Sequence, residues 1–548
     1  MFEVMYGSSS LERPHNLKIG PLDVHPLTVF QVAFYIGQAL DRQRSNLFIE
    51  HVREPSMTSV DRPSERRTSG RQNPTTAWLV TALLLAVGSY QLNNTMVAPA
   101  NPQIIESLHT DTATIGLAQT LFAMIGAISA IVVTRISDWT GRRRALLFSL
   151  GMLVVGNVIV ALAPGAGVYI VGRALSGMCG AVFAFAFLIL HDLLGLKTFS
   201  KALAVIAAIK AGLGGIEAVV SGSIVDAFGY QTVFWCMVAF TSAAVVAVYF
   251  VVPEIATAQK RRLDWQGSLT IALGLAGLSL TLSQGGKWGW GSPGSLLALI
   301  GGIAFLCAFP LVEKRVKEPL IRTSELGSRQ AWPLLLTNIL TLAGAGAATL
   351  FVLPLLAQNA GGGFGMSATT AALLYTMPVS VVGFAFAPVA GSFAPRIGWR
   401  IILITGLVVT VAGLALLAAF SNSPQIAFAM TLVLGACYTG LVLTALDGLG
   451  VLLSSSEAPG ALTGFNTAAF GIGASLGFAV SSGIITQFQV DGVPTHSGYA
   501  TALWTCTGLA FLGLLVSLLI PKSSVGAVEQ TDPGLITAGA APTPPGAR

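Results

Sequence analysis

Between two long apolar runs, residues 134–144 read TRISDWTGRRR, and between two later apolar runs residues 391–400 read GSFAPRIGWR. When Gly141 is aligned with Gly398, Arg143 coincides with Arg400. A short loop that combines glycine and arginine therefore occurs twice in the chain. This recurrence predicts two halves built on one structural plan.

The composition indicates that lipid is the solvent for most of the chain. Of its 548 residues, 53% are hydrophobic and only 10% are charged, and the mean hydropathy is +0.74. A helix crosses a bilayer with about 20 apolar residues, so we predict an all-α integral membrane protein. Runs of that length predict fourteen transmembrane helices, near residues 77–99, 112–135, 143–163, 166–191, 202–225, 230–252, 265–284, 294–312, 331–356, 367–391, 398–420, 425–451, 462–486 and 499–520.

The repeat divides these helices into two bundles and an insertion. We assign residues 76–252 and 331–522 to two six-helix pseudo-repeats, and residues 253–330 to a central linker with two extra transmembrane helices. Residues 1–75 are polar and rich in Arg and Ser, and residues 523–548 are rich in Pro, Ala and Gly. We expect both to be disordered cytoplasmic tails.

The positive charges report topology. Arg and Lys cluster on alternate loops, and Lys287 is almost alone on the intervening ones. The positive-inside rule then places both termini in the cytoplasm of a multi-pass protein of the cell membrane. A net charge of +6 does not indicate nucleic acid, because the basic residues sit in short loops rather than on one face. The five cysteines lie within predicted spans without metal-ligand spacing, so neither disulfides nor a zinc site are expected.

Two segments resemble a known family. SDWTGRRR at residues 137–144 resembles the signature loop of the major facilitator superfamily between helices two and three. The central hairpin, from LDWQG at 263–267 through QGGKWGW at 284–290, resembles the inserted helix pair of that superfamily's fourteen-helix drug:proton antiporter branch. The resemblance implies the major facilitator fold and alternating access.

The signature loop implies a conformational latch. Asp138, Gly141, Arg142 and Arg143 stand on the matching positions of the family's motif. A glycine allows the tight turn, and a carboxylate among arginines at helix ends can form charge-assisted bonds that break and reform. The alternative is that the arginines only anchor the topology.

A second motif surrounds Arg173. GRALSGMCG at residues 172–180 resembles the branch's helix-four motif, whose arginine is linked to proton transfer in relatives. A charge in the membrane costs about 2.5–3.5 kcal/mol on insertion scales, so a functional partner is expected for Arg173. The alternative is a side chain that extends to the membrane surface.

Two departures from the branch affect the predicted coupling. The first helix reads LNNTMVAP at residues 92–99, with Asn93 and Asn94 where the branch carries an acidic residue. An amide does not exchange protons near neutral pH, so both are predicted substrate or water contacts. The fifth span reads EAVVSG at residues 217–222 where the branch has Gly-Pro-x-x-Gly-Gly, so its proline is absent.

The fifth span contains two charges. Lys210 and Glu217 lie seven residues apart, which places them on one helix face about 10 Å apart along the axis. Glu217 is our candidate proton or cation site, and Lys210 a modulator or an anion contact. A structural ion pair that holds helices together is the alternative.

Further polar residues within the spans are candidates for a central cavity, although interhelical hydrogen bonding explains them equally well. They are Gln119, Asn338, Tyr375, Tyr438 and Asn466. His191, Asp192 and Asp447 are expected to be interfacial groups without a coupling role. The sequence contains no nucleotide motif, metal cluster or catalytic constellation, so we expect no cofactor, no metal and no enzymatic activity.

Three functions follow as hypotheses. The first is alternating-access efflux of amphipathic or cationic small molecules in exchange for protons. The second is a symporter or facilitator for a specific metabolite or organic anion, which the missing first-helix acid and Lys210 favour. The third is a non-transporting sensor or partner-binding protein on the same scaffold. None requires an oligomer or any partner besides substrate, protons and the lipid bilayer.

Met57 opens an ordinary short tail before the first helix, and we expect it to be the natural start, with residues 1–56 a mis-called extension. N-terminal sequencing of the native protein should therefore begin at or next to Met57. Recovery of peptides from residues 1–50 would contradict this expectation.

Overall fold

The computed structural model describes residues 76–194, 214–254, 265–316, 328–453, 461–490 and 492–521. Lys210 and the two predicted tails, including Met57, lie outside these residues. Asp138 and His191 fall within described helices, but their side chains are not described.

The first half and the central hairpin are helical. Their helices are α1 (Thr76–Thr95), α2 (Asn101–Ser107), α3 (Thr112–Thr140), α4 (Arg142–Ala161), α5 (Ala166–Gly177), α6 (Val182–Leu193), α7 (Gly214–Phe228), α8 (Tyr230–Val251), α9 (Trp265–Trp288) and α10 (Pro293–Glu313). A 3₁₀ segment at Ala98–Ala100 precedes α2, and another at Met178–Ala181 joins α5 to α6.

The second half differs from the first in its backbone. Its helices are α11 (Ala331–Thr341), α12 (Leu353–Gln358), α13 (Ala368–Ala371), α14 (Met377–Ile397), α15 (Trp399–Ala419), α16 (Pro424–Leu434), α17 (Leu443–Leu452), α18 (Ala461–Gln487) and α19 (His496–Ser517). Four π-helical segments lie at three helix junctions: Leu342–Gly346 and Ala348–Val352 between α11 and α12, Ala372–Thr376 between α13 and α14, and Gly435–Val442 between α16 and α17. A two-stranded antiparallel ribbon, β1 (Gln489–Val490) and β2 (Val493–Pro494), precedes α19.

The chain is an all-α integral membrane protein, as predicted. Within the described ranges, eleven helical segments are long and apolar enough to cross a membrane. Three further predicted spans overlap α1, α7 and α9. Fourteen crossings therefore remain a prediction.

Glycine forms both copies of the repeated basic loop. Gly141 links α3 to α4 at φ +94°, and Gly398 links α14 to α15 at φ +87°. These are backbone conformations that L side chains rarely adopt, so glycine is required at both turns. We call the end with these loops the basic end, and the other end of the helices the opposite end.

The aligned arginines make the same bond in each half. Arg143 donates to the Tyr249 carbonyl oxygen near the end of α8, the last helix of the first half. Arg400 donates to the Leu518 carbonyl oxygen, 2.7 Å away, just after α19, the last helix of the second half. Each guanidinium thus satisfies a carbonyl that a helix end leaves without an intrahelical partner.

Three helices begin at the opposite end with side-chain caps. Asp111 accepts a hydrogen bond from the Thr114 amide at the start of α3. Ser292 and Ser367 accept the equivalent bonds at the starts of α10 and α13. These caps satisfy amides that would otherwise lack partners, which fixes where the helices begin.

The apolar cores show how the halves meet. One buried cluster combines residues of both halves near the opposite end, including Tyr230 and Leu356. At the basic end the clusters are separate, with Leu146 in the core of the first half and Leu403 in that of the second. Among the described residues, the halves therefore share a buried apolar cluster near the opposite end and have separate clusters at the basic end.

Two helix pairs form the seam between the halves. In one, α3 packs along α18, and the Thr120 hydroxyl donates to the Ser475 carbonyl oxygen over 3.2 Å. In the other, α7 packs against α13, the π segment after it and α14. The hairpin α9–α10 lies beside the first pair, since α9 contacts both α3 and α18.

We predict that Gly180→Ala destabilises the protein. A methyl group at Gly180 would overlap the Gly126 backbone, whereas at Gly151 it would meet nothing within 4 Å. Overpacking of this kind costs about 1–3 kcal/mol. Thermal unfolding of the purified protein should show a lower midpoint for Gly180→Ala and little change for Gly151→Ala. Equal midpoints for the two variants would contradict this packing.

Candidate functional site

Arg142, next to the Gly141 turn, ties α4 to α6. It forms an ion pair with Asp192 and donates a 3.0 Å hydrogen bond to the Leu188 carbonyl oxygen. Asp192 was expected to have only an interfacial role, because it lies fifty positions from Arg142 and no local pattern links the two residues.

The next two arginines bind the end of α8. The Arg143 guanidinium lies 5.0 Å from the centroid of the Tyr249 ring, a cation–π contact. Arg144 Nε lies 3.6 Å from a carboxylate oxygen of Glu254. Arg142 and Arg143 therefore contact residues of the first half, whereas Arg144 contacts Glu254 at the start of the central linker. The predicted latch between the halves stays a prediction, because the structure does not describe the Asp138 side chain.

Arg173 does not extend to the membrane surface. Its side chain is 0% exposed, and its Nη2 donates to Gln119 Oε1 over 2.7 Å. The guanidinium also lies 4.2 Å from the centroid of the Phe122 ring. The structure therefore joins two predicted residues, Arg173 and Gln119, across α5 and α3.

This pair extends toward the opposite end. Gln119 Nε2 lies 3.5 Å from Asn101 Oδ1, and Asn101 is itself buried. Arg173 Nε and Nη1 have no hydrogen-bond partner among the described residues. A buried guanidinium with spare donors is costly, and the functional role predicted for Arg173 stays a prediction.

Glu217 contacts the first helix. The Thr95 hydroxyl lies 2.6 Å from Glu217 Oε2 and 3.0 Å from the Gln91 carbonyl oxygen. Gly214, three residues before Glu217, lies beside Thr95, Gln91 and Ser380 of α14. The carboxylate is half-buried, and it lies close to where the two halves meet.

Thr95 provides a partner for either protonation state of Glu217. A hydroxyl donates one hydrogen and accepts through its lone pairs. It can therefore donate to an ionised Glu217, or accept from a protonated Glu217 while donating to Gln91. The predicted relation of Glu217 to Lys210 lies outside the described residues.

The two first-helix amides occupy different environments. Asn93 is fully buried, its amide donates to the Ser89 carbonyl oxygen over 3.1 Å, and its Oδ1 accepts no bond from the described residues. Asn94 is half-buried. Their predicted contacts with substrate or water stay predictions.

The remaining cavity candidates do not form one cluster. Asn338 donates to the side-chain oxygen of Asn466 over 2.8 Å, and Asn466 lies 3.3 Å from Asp447. Tyr375 donates to the Pro424 carbonyl oxygen at the opposite end. Tyr438 is buried in the π segment Gly435–Val442, beside Gly346.

Sequence reasoning missed Thr95 and Asn101. Thr95 directly follows the chosen Asn94, whereas Asn101 lies seven residues after Asn94, and only helix packing shows that these two residues contact Glu217 and Gln119. It also missed the π segments, a feature frequent at functional sites. In the part of the chain that is described, no group of three His, Cys, Asp or Glu residues could hold a metal ion.

We predict that Gln119→Ala destabilises the protein by about 1–3 kcal/mol, because it removes the bonded acceptor of a buried guanidinium. The matched control is Asn94→Ala, which truncates a half-buried amide. Thermal unfolding should show a clearly lower midpoint for Gln119→Ala than for the control. Similar midpoints would show that the bond to Arg173 contributes little.

Comparison with known proteins gives concordant matches. The family model described as Major Facilitator Superfamily matches residues 83–362 and 334–544. The uridine/deoxyuridine transporter of Lactococcus lactis subsp. cremoris is 32% identical over 454 residues, 81% of this chain and 94% of the relative. Multidrug resistance protein 3 of Bacillus subtilis is 26% identical over 360 residues, 64% of this chain and 68% of the relative.

Solved structures agree on the fold. The nucleoside transporter NupG superposes with a TM-score of 0.57 at 13% identity, over 81% of this chain and 99% of NupG. At that identity the likeness concerns the fold alone. The family model and the relative that is 32% identical show that the chain belongs to the major facilitator superfamily of membrane transporters, which are not enzymes.

Proposed function

We propose that the chain is an alternating-access carrier for a small polar metabolite of the nucleoside class, with Glu217 as its proton site. The observation that carries this proposal is the contact of the Glu217 carboxylate with the Thr95 hydroxyl. Glu217 lies three residues from Gly214, which lies beside both Thr95 and Ser380 of the other half. A group at such a position is exposed to different surroundings when the halves move.

The substrate class is supported by the amides of the first helix. Gln91, Asn93 and Asn94 offer donors and acceptors without a fixed negative charge. Such groups suit a neutral, hydrogen-bonding ligand better than an organic cation. The similarity to a uridine/deoxyuridine transporter points to the same class.

Proton coupling is supported by the two partners of the Thr95 hydroxyl. A side chain that carries a proton must be stable in the protein both when it is ionised and when it is protonated, because each state occurs once in every transport cycle. Hydrogen bonding to Thr95 is available to Glu217 whether it is ionised or protonated. Neither state then leaves the carboxyl group without a hydrogen-bond partner.

The orientation follows from the loops. We place the protein in the cell membrane with the basic end and both termini in the cytoplasm, in accord with the positive-inside rule. The halves share a core near the opposite end and have separate cores at the basic end. Under this orientation the structure is closed toward the outside.

A second candidate is the efflux of amphipathic or cationic small molecules in exchange for protons. The similarity to multidrug resistance protein 3 favours it, as do the loop and hairpin motifs. It would use the same proton site, and differs from the leading proposal in substrate and direction.

We predict that Glu217→Gln abolishes proton coupling but not substrate binding. In proteoliposomes with an imposed pH gradient, the variant should no longer accumulate tritiated uridine. Exchange of internal for external uridine should persist, because it needs no net proton movement. The control is Glu106→Gln, which neutralises an exposed acid in α2.

Three results would change the proposal. Undiminished gradient-driven accumulation by Glu217→Gln would remove Glu217 from the mechanism. Absence of uridine exchange in the wild type would reject the nucleoside class. Proton-coupled flux of an organic cation such as ethidium in the same vesicles would then establish the second candidate.

A further inference from the structure

Asp226, near the end of α7, binds the other half of the molecule. Its Oδ1 accepts a hydrogen bond from the Ala368 amide over 3.1 Å. Its Oδ2 accepts one from the Thr369 amide over 2.9 Å and one from the Thr369 hydroxyl over 2.6 Å. One carboxylate of the first half therefore makes three hydrogen bonds with the second.

The amides that Asp226 binds are the first two of a membrane helix. A helical segment that includes the π turn runs from Ala368 to Ile397, and the first amides of a helix have no partner within it. Ser367 binds the Thr370 amide, and Asp226 binds the two before it. A carboxylate at this position also interacts favourably with the helix dipole.

On the side of Asp226 toward the basic end, two glycines of α7 allow its backbone to come close to the backbone of the other half. A methyl group at Gly222 would lie 2.7 Å from the Ala368 carbonyl oxygen, and one at Gly215 would lie 2.7 Å from Met377 Cα. Positions 215, 222 and 226 fall on one face of a helix with 3.6 residues per turn. The seam and the carboxylate thus form a continuous contact of α7 with the other half.

We propose that Asp226 is the clasp that holds the halves together at the opposite end, and that its three bonds must break before this end can open. The amides belong to one half and the carboxylate to the other, so separation of the seam cannot leave the bonds intact. The shared core lies at this same end. This gating role goes beyond the proposed function and holds for any substrate.

Water replaces the clasp when it opens. The exposed Asp226 carboxylate and the freed amides can all be hydrated, so the clasp biases the equilibrium between states rather than locking one of them. Weakening it should increase the population that is open at the opposite end. The Ala368 and Thr369 amides report this directly, because their hydrogens exchange with solvent only when the bonds are broken.

The test is hydrogen–deuterium exchange of the full chain in lipid nanodiscs, read by mass spectrometry without substrate. In Asp226→Ala, a peptide covering residues 366–377 should exchange at least about tenfold faster than in the wild type, as loss of a charge-assisted hydrogen bond implies. Peptides of α7 around residues 214–228 should also exchange faster, because the seam opens with the clasp.

Asp111→Asn is the matched control. Asp111 caps α3 by accepting from Thr114, within its own half and at the same end of the molecule. Its substitution should loosen the start of α3 and leave exchange in the peptides 366–377 and 214–228 unchanged. The milder variant Thr369→Val removes only the hydroxyl bond and should give an intermediate rate for residues 366–377.

The outcomes separate the proposal from its alternatives. Combining Thr369→Val with Asp226→Ala should add nothing to the rate of Asp226→Ala alone, since both act through one contact. Faster exchange confined to residues 366–377, with the α7 peptides unchanged, would show a helix cap without a gating role. Wild-type rates in both Asp226→Ala and Thr369→Val would show that the clasp is not closed in the membrane. Because no substrate is added, these results are independent of the transport assays.

Discussion

Hydrocarbon offers no partners to polar groups, so each charge and each helix end inside the membrane must find one within the protein. Arg173 illustrates the constraint, since it lies between the Gln119 amide and the Phe122 ring with no surface exposed. Arg143 and Arg400 illustrate it at the basic end, where each binds a carbonyl oxygen of the last helix of its half. Each of these arginines is therefore held by specific partners of its own half.

The same constraint allows the two halves to pack in two ways at either end of the molecule. Apolar surfaces of the halves can share one core at an end, as they do near the opposite end, or each half can keep its own core, as at the basic end. Packed interfaces are bistable rather than continuously deformable. Glycines such as Gly222 allow the backbones to approach closely in the joined arrangement, and few hydrogen bonds need to break when it separates.

The sequence predicts the helices well because their signal is local. The span predicted at 143–163 is the helix Arg142–Ala161, and the alignment of Gly141 with Gly398 pairs two turns of the same backbone conformation. The hydrogen-bond partners of several polar side chains, however, lie far from them in the sequence. Gln119 and Arg173 lie fifty-four residues apart, and Asp226 lies more than one hundred and forty from Thr369. Only helix packing identifies these contacts, and the proposed substrate class depends on the comparison with relatives.

Helix α7, which departs from the antiporter branch, contains the residues of both proposed events. These events are the protonation of Glu217 and the opening at Asp226. It runs as an unbroken α-helix through Ala218, where the branch has a proline, so no kink separates its two ends. Gly215, Gly222 and Asp226 face the other half, whereas Glu217 lies about 200° around the helix from Gly215 and faces Thr95. A tilt of this rigid helix would alter both contacts together. Protonation of Glu217 could therefore favour or oppose opening at Asp226 without any chain of intervening side chains.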